Sequence, residues 1–282
     1  MAERMGRAAR EVRACALALL YHARSGHPGG ALSVTEIVCE LWARSQVGED
    51  KPTGRLVLSK GHSVVTLYAL AGLNGMLNDC EGTALRKLGS RLQGHGHVMT
   101  LPWLETSTGS LGQGFSFAVG LALGLRHRGD NTPVYAVLGD GELQEGQVWE
   151  AAMSASHFGL NRLTTIVDYN KLQSDASNEE IMRVEPLAAK WSAFGWQVAE
   201  IDGHSQNDIA QALDSALQVT TGPSVVIAHT VKGKGVSYME GVPSWHGSVR
   251  MTEEQVRSAW DELGVSQDRQ EQFLAGQVWV TK

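Results

Sequence analysis

At 282 residues, 43% hydrophobic and 19% charged, the chain is ordinary for a globular protein and long enough for one large α/β domain or two small ones. The formal charge of −6 argues against a nucleic-acid footprint, and no apolar run is long enough to span a bilayer. Cys15, Cys39 and Cys80 are odd in number and far apart, which implies neither a disulfide framework nor a cysteine-based metal site and fits a reducing, cytoplasmic setting.

Residues 5–23 read as a helix. Basic residues ahead of the apolar run Ala14–Leu20 imitate a signal peptide, but Glu3 and Glu11 interrupt them and no small-x-small cleavage site follows. Ser25-Gly26-His27-Pro28-Gly29-Gly30 is a cluster of helix breakers. A helix is expected from Ser33 to Trp42, capped by Ser33 or Thr35, then a short strand over Arg55–Leu58 and a helix over Val64–Leu73. Residues 78–108 read as irregular, and the glycine-rich turn Thr108–Gly114 opens a small-residue helix over Phe115–Leu125. Val134–Leu138 and Leu163–Val167 read as strands, with room for a helix in Glu142–Gly159 between them. Trp196–Ile201 and Ser224–Ala228 are two more strands, followed by a long loop through Lys232–Gly235 and Ser244–Gly247. The last helix, Thr252–Leu263, has Thr252 as its cap and Glu254 or Gln255 near the reciprocal capping position. The expected fold is α/β, a doubly wound, mostly parallel sheet with helices on both faces. It is expected to form one unit over residues 1–282, with a helical extension from about residue 251.

The central strand–helix–strand unit places the ends of its two strands on one sheet edge. Gly139-Asp140-Gly141-Glu142 ends the first strand and Asp168-Tyr169-Asn170 the second. A carboxylate and an amide oxygen brought together there suit a hard cation such as Mg²⁺ or Ca²⁺ that keeps positions open for a phosphate. A lone Gly-Asp-Gly is also a common tight turn, so the ordered pair carries the reading. Gly109, Gly112 and Gly114 precede a helix, where an anion is favoured, but their spacing fits neither the Walker nor the dinucleotide fingerprint. Of the ten histidines, His27, His62, His95 and His246 sit beside Gly or Pro in expected loops, where imidazoles can move protons. His22, His127, His157, His204 and His229 read as structural or exposed, and His97 as ambiguous.

Together these segments resemble the amino-terminal half of transketolase, a thiamine-diphosphate enzyme. Ser25–Gly30, Leu58–His62, Gly94-His95, Ser107–Gly114, Gly139–Gly146 with Asp168–Gln173, Val231–Gly235 and Trp245–Gly247 look like the family's motifs in the family's order, over roughly residues 10–265. The resemblance implies that Asp140, Asn170 and the carbonyl of Leu172 hold Mg²⁺ (or Ca²⁺), which holds the diphosphate of the cofactor. It implies cofactor contacts at His62, Gly109, Leu111, Gly141, Glu145, Lys232 and His246. His27, His62, His95 and His246 match the family's cluster around the reacting carbon. Glu145 and Glu150 match acidic residues of the subunit interface that link paired active sites, and both lie on one helical side.

The activity implied is transfer of a two-carbon ketol unit from a ketose, as a small sugar or sugar phosphate, to an aldose. A complete transketolase is more than twice as long, so the resemblance implies a partner: a separate carboxyl-terminal subunit with the pyrimidine-binding and C-terminal domains, in an α2β2 assembly. Gly96, His97, Ser63 and Ala176 depart from the family pattern, the first two beside the substrate entrance. The alternatives are the α subunit of a thiamine-dependent 2-oxo acid dehydrogenase and a non-catalytic binding subunit.

Overall fold

The computed structural model describes residues 2–279. In chain order it contains α1 (Ala2–Ala23), α2 (Pro28–Ser33), α3 (Thr35–Ser45), β1 (Arg55–Leu58), α4 (Val65–Leu73), α5 (Gln113–His127), β2 (Val134–Gly139) and α6 (Gly146–His157). There follow β3 (Leu163–Tyr169), α7 (Asn178–Ile181), α8 (Leu187–Ala193), β4 (Gln197–Asp202), α9 (Gln206–Gln218), β5 (Ser224–His229), α10 (Glu253–Glu262) and α11 (Gln267–Leu274). The five strands form one parallel sheet in the order β1-β2-β3-β5-β4.

Period-two alternation sorts the strand residues between two apolar layers. Leu163 and Val167 of β3 pack with Phe115, Val148 and Trp191 of α5, α6 and α8. Ile166 faces the other way, into a core with Leu17, Ile37, Leu67 and Leu213 of α1, α3, α4 and α9. Because both faces are covered, β2 and β3 are buried along their whole length, as parallel strands between helices must be.

The topology places the functional edge. From β1 to β4 the chain advances across the sheet with α5, α6 and α8 on one face. The step from β4 back to β5 reverses direction, and a right-handed crossover then puts α9 on the opposite face. The loops leaving the adjacent strands β3 and β5 therefore diverge, opening a crevice at their carboxyl ends.

Several local expectations are corrected. The breaker cluster does not stay irregular: Pro28 occupies the first position of α2, where its missing N–H is harmless. Neither Ser33 nor Thr35 caps the helix that follows. Ser33 Oγ donates to Asp168 and Thr35 Oγ1 to the Ala31 carbonyl, while the cap position of α3 is Val34. The helix expected over 142–159 is split, a 3-10 turn at Gly141–Gln144 preceding α6. Thr252 does cap α10, reciprocally with Gln255. The structure adds α7, α8, α9 and α11; the buried stripe of α9 is half alanine, a weak apolar signal.

Candidate active site

Three strand exits meet in the crevice. After β2, Asp140 is 3% exposed, with Oδ1 accepting from Gly141 N at 2.8 Å and Oδ2 from Lys171 N at 2.5 Å. Lys171 reaches it by adopting φ +67°, a left-handed conformation costly for a non-glycine residue and typical of functional loops. Burial, then the charge of Asp168, pushes the Asp140 carboxyl up to about 6. After β3, Asn170 Oδ1 accepts from Leu172 N at 3.1 Å. After β5, Lys232 is 2% exposed; its ammonium donates to the Leu172 carbonyl at 2.7 Å, the Gln173 carbonyl at 3.3 Å and His246 Nδ1 at 2.8 Å. Burial, reinforced by the charge of Lys60, lowers Lys232 to about 8. These groups, with His62, Leu111 and Glu145, line a cavity of about 190 Å³. A larger depression of about 600 Å³ along β4 and α9 is a shallow groove on the sheet edge away from this cluster.

Beside the cavity the rings of His27, His62 and His246 form a triangle with centroids 5.3 to 5.7 Å apart, and His95 stands 6.4 Å from His27. Burial, then the neighbouring positive charges, lowers His27 to about 4, His246 to about 3 and His62 well below the usual imidazole range. All three are therefore neutral near pH 7. The close approach of the loops requires glycine: a Cβ on Gly30 would lie 3.0 Å from His62 Nε2. His27 Nδ1 is buried and has no hydrogen-bond partner among the described residues. A buried polar atom left open in this way is what a ligand hydroxyl would satisfy.

Beneath the cavity lies a polar layer that sequence reasoning missed. Asp168, at 0% exposure, accepts from Lys60 Nζ, Thr230 Oγ1 and, at 2.6 Å, Ser33 Oγ. Burial works to raise this carboxyl, but the adjoining Lys60 ammonium and the two hydroxyls hold it below the usual carboxylate range. Asn170 Nδ2 lies 3.4 Å from Asp168 Oδ2, which turns the amide oxygen of Asn170 away from the carboxylate. Glu142 ties three loops together, accepting from Ser59 Oγ at 2.5 Å, Gly112 N at 2.8 Å and Gly139 N at 3.1 Å. Burial nonetheless raises its carboxyl. Ser59, Lys60, Glu142 and Asp168 fall inside motifs that the sequence shows, but nothing in the sequence pairs them with one another or with Ser33 and Thr230.

The structure thus brings Asp140, Gly141, Asn170, Leu172, Lys232, His62, Leu111, Glu145 and His246 around one cavity, with His27 alongside. Gly109 is set back, supporting His95, and Glu150 lies on the exposed side of α6. The donor set of one buried carboxylate, one amide oxygen and one main-chain carbonyl fits a hard divalent cation. The Leu172 carbonyl already receives a cation, the Lys232 ammonium. Among the described residues no group of three His, Cys, Asp or Glu side chains forms a competing metal site.

Residues 5–277 match the family described as transketolase, thiamine diphosphate binding domain. The chain is 41% identical over 243 residues to the 6-deoxy-6-sulfo-D-fructose transketolase subunit SqwG of Clostridium sp. (strain MSTE9), covering 84% of this chain and 88% of that one. It is 38% identical over 241 residues to an apulose-4-phosphate transketolase subunit of Phocaeicola vulgatus, covering 84% and 85%. The transketolase of Campylobacter jejuni superposes with a TM-score of 0.86 at 29% identity, over 96% of this chain but 46% of that chain, so this chain spans under half of that enzyme's length. The chain therefore belongs to the transketolase family and carries its thiamine-diphosphate-binding domain. The match gives no support to a 2-oxo acid dehydrogenase.

Proposed function

We propose that the cavity holds thiamine diphosphate and Mg²⁺ (or Ca²⁺), and that this chain is the diphosphate-binding half of an enzyme transferring a two-carbon ketol unit between sugars. Asp140, Asn170 and the Leu172 carbonyl would be the metal ligands. His62, Leu111, Gly141, Glu145, Lys232 and His246 would contact the cofactor, with Gly109 acting from behind by supporting His95. When bound, the cofactor supplies the electron sink that ketose C–C cleavage requires.

The chain's own residues bind and orient the sugar. Neutral imidazoles at His27, His62, His95 and His246 can each donate one hydrogen bond and accept another, which suits sugar hydroxyls better than imidazolium. Lys232 donates to His246 Nδ1, so the His246 proton sits on Nε2 and is available to a substrate oxygen. His27 Nδ1 is the free site for a proton leaving or joining a hydroxyl. The observation that carries this reading is Lys232 itself, one ammonium bonded both to the proposed metal-ligating carbonyl and to a histidine of the cluster.

Two relatives covered over 85–88% of their length are named as transketolase subunits, which supports a separate subunit with the pyrimidine-binding and C-terminal domains, here proposed to form an α2β2 assembly with this chain. The exposed carboxylates Glu145 and Glu150 would face that interface. The free thiols of Cys15, Cys39 and Cys80 suit the cytoplasm, and no helix among the described residues is long and apolar enough to cross a membrane. The test is reconstitution. The purified chain with thiamine diphosphate and Mg²⁺ should show no ketol transfer, and activity should appear on adding the carboxyl-terminal subunit. Robust turnover without a partner would refute the division, and a reconstituted complex that neither binds cofactor nor turns over would refute the cofactor reading.

A further inference from the structure

The backbone on both sides of Lys232 is held by its amides. Thr230 N donates to the Tyr169 carbonyl at 3.2 Å, the last rung of the β3–β5 pairing, and Gly233 N donates to the Gly29 carbonyl of α2 at 3.0 Å. Between them the sheet has ended. Val231 N donates instead to an imidazole, Nε2 of His204, at 2.9 Å. A nitrogen that accepts there carries no proton, so the His204 proton is on Nδ1. Nδ1 lies 3.1 Å from Glu36 Oε2 and donates to it.

Glu36 is itself clamped. Arg13, 3% exposed, donates to both carboxylate oxygens at 2.6 Å. The same guanidinium donates twice to the Leu32 carbonyl, at 3.1 and 2.9 Å, in the last turn of α2. One buried relay therefore grips both segments that meet at Lys232: α2, which presents the Gly29 carbonyl and Gly30, and the exit of β5. The turn that delivers His204 lies flush on that exit, since a Cβ on Gly203 would stand 2.4 Å from Thr230 Cγ2. Asp202 Oδ1 closes the turn by accepting from His204 N at 2.8 Å.

We propose that His204, backed by Glu36 and Arg13, is a positioning residue that sets Lys232 in the cavity. It supplies to the Val231 amide the acceptor that a neighbouring strand would otherwise give. Oriented partners behind a binding group are worth about 10–100-fold in affinity in metal sites, and the same logic applies to an oriented ammonium.

Two measurements test this, exchange on the full chain and binding on the reconstituted complex. In His204→Phe the amides around Val231 should exchange with deuterium at least about tenfold faster, the loss of roughly one hydrogen bond, while His204→Gln, which keeps an acceptor, should exchange like wild type. Reconstituted with the carboxyl-terminal subunit and titrated with thiamine diphosphate and Mg²⁺ by calorimetry, His204→Phe should bind about 10–100-fold more weakly. The double variant His204→Phe/Lys232→Met should bind no more weakly than Lys232→Met alone, because His204 acts through Lys232. A residue that merely stabilises the fold would give additive losses. Unchanged exchange in His204→Phe, or additivity in the double variant, overturns the proposal. The affinity measurement rests on the cofactor reading above; if the wild-type reconstituted complex fails to bind, that reading fails and exchange alone decides the role of His204.

Discussion

Replacing Lys60 by Met should strip the cation from a carboxylate that has no water to turn to. Asp168 is 0% exposed and Lys60 1%. Removing one partner of a buried ion pair costs about 3–5 kcal/mol because the other charge stays buried and uncompensated. Here Ser33 Oγ, at 2.6 Å, and Thr230 Oγ1 keep donating to Asp168, so the lower end, about 3 kcal/mol, is expected. For chains of this size each kcal/mol moves the midpoint roughly 2–4 °C, so thermal melts at neutral pH should show a drop of roughly 6–12 °C. The pH dependence gives a second reading. In wild type the Asp168 carboxyl is held below its usual range, so its contribution is complete above the ordinary carboxylate pKa and is lost only as pH falls through the lowered value. Without Lys60, burial dominates and raises that carboxyl, so the penalty is greatest at neutral pH and is relieved on acidification. The gap between variant and wild type should therefore narrow as pH falls. A melting shift under about 2 °C, or a gap that widens on acidification, would show that the pair does not compensate Asp168 as described.

Asp140→Ala should abolish metal-dependent binding of thiamine diphosphate to the reconstituted complex while leaving the melting temperature of the chain near or above wild type, since the lost carboxylate is buried and disfavoured there; unchanged affinity by calorimetry would remove Asp140 from the metal site. Burial, then Arg86 and His95, holds His27 at about 4, so proton NMR should find it neutral down to about pH 5, and Arg86→Gln should raise its midpoint. A wild-type midpoint near 6.5 would mean that His27 is solvated.

Much of this protein was legible in its sequence because the signals are local. The strand over Arg55–Leu58 follows from a short apolar run before a Ser-Lys-Gly turn, and the cap of α10 from Thr252 and Gln255 three residues apart. Asp140 and Asn170 could be paired because strand, helix and strand of that length force parallel neighbours, and β2 and β3 do lie side by side. The histidine loops were visible as motifs, and the structure gathers four of them within one cluster. Where local signals compete, the reading was weaker: glycines and proline in Ser25–Gly30 argue for a break, yet tertiary packing builds α2 from Pro28 onward.

The sequence by itself thus determined the five strands, most of the long helices, the parallel order of the central unit and the chemistry presented at its edge. Only the tertiary structure decided how that edge is supported. Lys60 meets Asp168 across 108 residues, Ser59 meets Glu142 across 83, and His204 meets Glu36 across 168. Ser59, Lys60, Glu142 and Asp168 stand in recognisable motifs, but no periodicity or spacing links one partner to the other, and Glu36 and His204 look like ordinary solvated residues. Their pairing is imposed by the sheet order and by burial, which forces each polar group removed from water to find whichever partner the fold carries to it.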